Sequence, residues 1–110
     1  MALVKVATTA DVPPGHTKEV TVSGNKVLLC NVDGHLYAVG DVCSHDNGPL
    51  GQGALDGHAI ECPRHGARFD VRTGKVVCLP AILPIPTYVV KVEGADVFVD
   101  ERAPVVKGVR

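Results

Sequence analysis

The chain has 110 residues, 45% of them hydrophobic, and a formal net charge of -1. One compact domain fits this length and two do not, and the near-neutral balance leaves no electrostatic footprint for a nucleic-acid partner. No apolar run approaches the roughly 20 residues of a membrane span. Met1 to Ala7 alternates apolar and polar residues without a cleavage-type segment, so a cytoplasmic protein is expected.

Twenty valines, 12 Gly and 8 Pro, against one Met and no Trp, indicate many short strands joined by tight turns. A small β domain has no room for both a cofactor-binding and a substrate-binding unit. Any redox or oxygen chemistry it joins makes it one component of a larger system.

Alternation and turn punctuation give the elements in order. Leu3-Val4-Lys5-Val6 opens the domain and is followed by a Pro13-Pro14-Gly15 loop. Lys18 to Val22 and Lys26 to Val32 are predicted strands joined by Ser23-Gly24-Asn25, a hairpin signal. Asp33-Gly34 then turns into a strand over Leu36 to Val39. Between Asp41 and Pro86 the texture changes: Gly and Pro are frequent and only short strands fit, at His58 to Glu61, Ala67 to Val71 and Lys75 to Cys78. Tyr88 to Glu93 and Asp96 to Asp100 form a last hairpin around Gly94-Ala95, with Tyr88, Val90 and Val92 on one face. No stretch has a convincing helical period.

The loop-rich segment holds Cys43-Ser44-His45 and, after 16 intervening residues, Cys62-Pro63-Arg64-His65-Gly66. A segment with little core of its own needs another source of order, and a metal centre held by two loops supplies it, because binding energy becomes folding energy. Each loop offers one thiolate and one imidazole. A tetrahedral zinc site uses the same ligand types, although a zinc finger usually pairs two Cys on one element and two His on another. An iron–sulfur centre with two Cys on one iron and two His on the other uses mixed pairs of this kind. Both readings stay open on spacing alone.

Cys43-x-His45 with Cys62-x-x-His65-Gly66 resembles the ligand signature of Rieske [2Fe-2S] proteins. The flanking run to Asp70, followed by Thr73-Gly74, is similar to the second cluster loop of Rieske-type ferredoxins, and the strand plan agrees over roughly residues 3 to 100. The resemblance implies an all-β fold: an antiparallel β-sandwich or barrel base with a loop-rich cluster-binding insertion over about 41–86. A single domain over 1–100 and a frayed tail over 101–110 are expected. It implies one [2Fe-2S] cluster per chain, with Cys43 and Cys62 on one iron and His45 and His65 on the other.

Two ferric ions, two sulfides and two thiolates sum formally to zero, whereas four thiolates would leave a dianion. Reduction of the neutral centre costs less, which places His-ligated centres at roughly -150 to +300 mV against about -400 mV for plant-type clusters. High-potential relatives carry a disulfide between the loops and Ser and Tyr hydroxyls bonded to the sulfurs. The matching positions here are Gly48 and Arg64 for the bridge, and Ala67 and Phe69 for the hydroxyls. A potential near the low end is therefore expected.

By the same resemblance the chain is a soluble electron carrier, not an enzyme. Its expected donor is a flavin-dependent ferredoxin reductase, and its expected acceptor the terminal oxygenase of an aromatic ring-hydroxylating dioxygenase system. No nucleic-acid or membrane partner is expected, and the chain is read as a monomer or weak oligomer. Alternative readings are a Rieske subunit of another system, such as a nitrite reductase small subunit or an iron–sulfur-assembly ferredoxin, a redox sensor, and a structural zinc module.

Ordinary roles account for most of the remaining residues. Cys30 and Cys78 read as small buried hydrophobes, and His16, His35 and His58 as surface residues. Gly51-Gln52-Gly53 lacks the Lys and helix of a phosphate loop. Gly48, Pro49, Leu50 and Pro63 read first as residues that set the backbone shape of the loops and let amides approach the sulfurs; the alternative has Pro49, Leu50 and Pro63 also forming an apolar collar around His45 and His65. Asp46, Glu61, Arg64, Arg68 and Asp70 are mixed in sign and read mainly as solvated surface.

Overall fold

The computed structural model describes residues 3–44, 48–51, 53–79, 81 and 83–101. The strands run in chain order β1 (Leu3–Thr8), β2 (Thr17–Val22), β3 (Asn25–Val32), β4 (His35–Gly40), β5 (Leu55–Asp56), β6 (Ala59–Glu61), β7 (Arg68–Asp70), β8 (Val76–Cys78), β9 (Thr87–Tyr88), β10 (Val90–Glu93) and β11 (Asp96–Asp100). They form three antiparallel sheets in the orders β1-β11-β10, β2-β3-β4-β9 and β5-β6-β7-β8. Among the described residues the only helical element is one 3-10 turn, Thr9–Asp11.

Tight turns fix the register of the second sheet. Ser23 and Gly24 both have positive φ (48° and 83°), as do Asp33 and Gly34 (52° and 92°). Two-residue turns of this hand match the right-handed twist of the flanking strands. Asn25 therefore pairs directly with Val22 and belongs to the strand that the sequence reading begins at Lys26.

The strand β3 is buried from Val27 to Val32, and its alternation divides the interior into two cores. Val27 and Leu29 pack with Ala7, Val97 and Val99 of the first sheet. Leu28, Cys30 and Val32 face the other way, against Ile60, Phe69 and Val71 of the third sheet and its edges. A strand covered on both faces needs apolar residues at successive positions, which explains the run Val27-Leu28-Leu29-Cys30. Burial pushes the Cys30 thiol up to about 12, so it serves here as a packed hydrophobe. Asn31 interrupts the apolar run, but its amide donates to the Val12 carbonyl at 2.6 Å and accepts the Gly34 N–H at 2.8 Å.

The predicted strand from Tyr88 to Glu93 is divided. Thr87–Tyr88 pairs with β4, and Val90–Glu93 pairs with β11 in the first sheet. Val89 is the corner between sheets, exposed, with its carbonyl accepting the Asp100 N–H at 3.0 Å. Tyr88 and Val90 both pack on the core that holds Val27, Leu29 and Val97, in keeping with the shared face expected of them, whereas Val92 lies exposed towards the far end of the edge strand β10. Of the expected frayed tail, only Glu101 lies within the described residues.

Candidate metal centre

The two loops that hold the expected ligands lie where the second sheet passes to the third and within the third. Cys43 follows the end of β4 and Cys62 follows β6 directly. Both loops close in the same way. The Cys43 N–H donates to the Gly48 carbonyl at 2.7 Å, and the Cys62 N–H donates to the Ala67 carbonyl at 2.7 Å. Each bond spans five residues, so each closed loop brackets one expected histidine, His45 or His65. Gly66, with φ 79°, makes the tight return in the second loop, and its N–H donates to the Cys62 carbonyl at 3.1 Å.

Cys43 and Cys62 are completely buried and belong to one core cluster with Leu50, Ala67, Phe69 and Ala81. His65 is exposed. His45 and Asp46 lie outside the described residues. Among the described residues no three potential donors close around a single ion.

The first loop is held from below by Asp41. This buried carboxyl accepts the N–H of Leu50 at 2.8 Å and that of Gly51 at 3.0 Å through one oxygen. The Ser44 hydroxyl donates to the Leu83 carbonyl at 2.5 Å, drawing the segment before β9 against the loop. The second loop and its sheet are laced by ion pairs, Arg68 with Glu61 at 3.0 Å and with Asp56 at 3.2 Å. Arg72 bonds to Asp70 at 2.8 Å and holds its carboxyl below the usual range.

A family model for the Rieske [2Fe-2S] domain matches residues 2–89. The chain belongs to this family. Among its Rieske relatives is the ferredoxin component of biphenyl 2,3-dioxygenase from Rhodococcus jostii, 44% identical over 100 residues, which cover 91% of this chain and 94% of the relative. The solved ferredoxin of carbazole 1,9a-dioxygenase from Nocardioides aromaticivorans superposes with a TM-score of 0.89 at 36% identity, covering 93% of this chain and 100% of that one. A chain from a complex of reduced oxygenase and oxidised ferredoxin in carbazole 1,9a-dioxygenase has a TM-score of 0.85 at 34% identity, covering 90% and 93%.

The donor set suits the Rieske [2Fe-2S] group. Two buried thiols stand at equivalent positions of two similarly closed loops, inside an apolar lining, and one expected imidazole is at the surface. Buried thiols with an imidazole at the surface would suit such a centre if electrons were to enter and leave on the histidine side.

Two expectations are corrected. Leu50 is completely buried, because Asp41 pins its amide while the side chain packs in the cluster core. The collar of Pro49, Leu50 and Pro63 therefore loses its middle member, although Pro49 and Pro63 are exposed. Among the described residues the large apolar side chains with the greatest exposure are Leu79 (70%), Leu83 (60%) and Val77 (58%). Cys78 is exposed too, since β8 is the edge strand of its sheet. His16 and His35 are exposed as expected, while His58 is half-buried and meets the Tyr37 ring edge-on at 6.1 Å.

Asp41 and Arg64 are the site residues that sequence reasoning missed. An Asp just ahead of a Gly-rich loop is a known acceptor for loop amides, and that signal was available for Asp41. The Arg64 guanidinium reaches the other loop, donating from Nη1 to the Pro49 carbonyl at 2.9 Å. Nothing in its local sequence announces that contact.

Proposed function

We propose that this chain is a low-potential Rieske ferredoxin carrying single electrons from a flavin-dependent reductase to the terminal oxygenase of an aromatic ring-hydroxylating dioxygenase system. The observation that carries the reading is the matched pair of loops, each closed from a buried cysteine across a bracketed histidine. Cys43 and Cys62 would hold one iron and His45 and His65 the other. When bound, the [2Fe-2S] group supplies reversible one-electron chemistry.

The chain's own residues supply the setting. Leu50, Ala67, Phe69 and Ala81 keep water from the sulfur side. Asp41 and the two loop-closing bonds fix the backbone around the ligands. Exposed His65 offers the short route to a partner. Relatives named for biphenyl and carbazole systems share this small fold, which suits a carrier that never touches the aromatic substrate. The role is that of a carrier and not of an enzyme. A cytoplasmic location belongs to the same proposal; among the described residues no helix is long and apolar enough to cross a membrane.

Electron paramagnetic resonance of the dithionite-reduced protein, with its visible absorption, tests the reading. A brown protein with an average g clearly below that of four-Cys [2Fe-2S] ferredoxins is the expected result. A colourless protein holding one zinc would overturn it.

A further inference from the structure

Arg64 lies in the second loop, yet its guanidinium rests on the first. A Cβ built on Gly48 would stand 2.5 Å from Cζ, 2.5 Å from Nη2 and 2.7 Å from Nε of Arg64, so the planar group covers Gly48 face-on. From there Nη1 donates to the Pro49 carbonyl at 2.9 Å. Gly48 is itself the residue whose carbonyl closes the first loop on Cys43. Beyond Pro49, Asp41 holds the amides of Leu50 and Gly51 from the sheet side. The first loop is thus gripped at both ends of a four-residue stretch, by Asp41 beneath it and by Arg64 across from it.

We infer that Arg64 is a positioning residue, a non-covalent clamp that fixes the spacing of the two ligand loops through its packing on Gly48 and its bond to Pro49. The inference rests on the ligand assignment proposed above. Guanidinium is suited to the task because its flat face packs against bare backbone while its edge donates in a fixed direction. Gly48 is bare for the same reason. Its φ lies outside the left-handed region, so no backbone strain demands glycine there; the guanidinium occupies the space of a side chain.

This arrangement predicts coupling between the two loops. Gly48→Ala should act by evicting the guanidinium, and should do little once Arg64 is absent. The test uses the holoprotein of Arg64→Ala, Gly48→Ala, the double variant and Arg64→Lys. Bleaching of visible absorption by an iron chelator and the reduced-state resonance lines are followed. Each single alanine variant is expected to bleach about tenfold faster or more, the loss typical when a residue supporting metal ligands is removed. The double variant should bleach no faster than Arg64→Ala alone, and both single variants should shift the resonance lines in the same direction. Arg64→Lys keeps the charge but not the plane, and should behave like Arg64→Ala.

Wild-type bleaching in Arg64→Ala overturns the clamp, and so do multiplying effects in the double variant or full rescue by lysine. Resonance lines unmoved in both single variants would reduce Arg64 to a general stabiliser and also overturn it. A colourless wild-type protein is a different failure, because it removes the ligand assignment itself.

Discussion

Glu19 hydrogen-bonds to Asp41, and this contact, with the neighbouring charge of Asp41, raises the Glu19 carboxyl above its usual value of 4.5. The pair stands beside the first ligand loop, where Glu19 lies against Gly51 and Asp41 accepts the Leu50 and Gly51 amides. The folded chain binds this proton more tightly than the unfolded chain does. Its contribution to stability is therefore complete below 4.5 and is lost as pH rises through the raised value. Glu19→Gln keeps a donor to Asp41 without the charge. It should raise the melting temperature at pH 7 and flatten the gain that the wild type shows on moderate acidification. Equal melting temperatures for the two proteins at both pH values would refute this account.

Removal of the iron–sulfur group should loosen one sheet and spare another. The strands β5 to β8 have only two or three residues each, and their core includes Cys43 and Cys62 themselves. Ligand binding is then part of the folding free energy of that sheet. The strand β3 instead pairs with β2 from Asn25 to Cys30 and with β4 from Val27 to Val32, and it is buried from Val27 onward. Hydrogen exchange after chelation should show lost protection at Ile60 and Phe69, with protection retained at Leu28 and Leu29. Uniform loss across both sheets would contradict it.

The potential follows from what lines the cysteine sulfurs. Ala67 and Phe69 are completely buried beside Cys43 and Cys62 and carry no hydroxyl. With no donor from these positions, the reduced and more negative state is less stabilised. A midpoint on the order of -150 mV is expected in a redox titration. Ala67→Ser and Phe69→Tyr should each move it upward, while Phe69→Ala should cost about 3–5 kcal/mol of stability through the cavity it leaves. A wild-type midpoint above about +100 mV, well inside the window for His-ligated centres, would sink the argument.

The β base was legible because its signals are local. Alternation and the Ser23-Gly24 and Asp33-Gly34 turns place β2 to β4 within a residue of their observed ends. The expected ligands were legible for a different reason: Cys-x-His and Cys-x-x-His are spacings along the chain. What failed depends on partners distant in sequence. Val89 reads as mid-strand until Asp100 bonds to it and the chain changes sheets. Leu50 reads as loop surface until Asp41, nine residues earlier, turns it inward. Cys78 sits in an apolar run that looks buried, yet it lies on an edge strand whose outer side has no neighbour among the described strands. Arg64 reads as one more surface charge until its contact with Gly48 is seen.

Leu83 is fixed beside the first ligand loop by the Ser44 hydroxyl on its carbonyl, and its side chain is 60% exposed. Apolar groups next to an electron-exit point favour close, water-excluding contact with a partner, and a few such residues usually dominate the binding energy. Leu83→Glu should therefore slow electron delivery to the terminal oxygenase, on the order of tenfold at sub-saturating partner. Visible absorption, resonance lines and midpoint should stay as in the wild type, since Leu83 meets the loop through its backbone carbonyl. The defect should persist at high salt, because lost apolar contact, unlike charge repulsion, is not screened. An unchanged transfer rate, or a defect that vanishes in salt, would rule out apolar docking at this edge of the site.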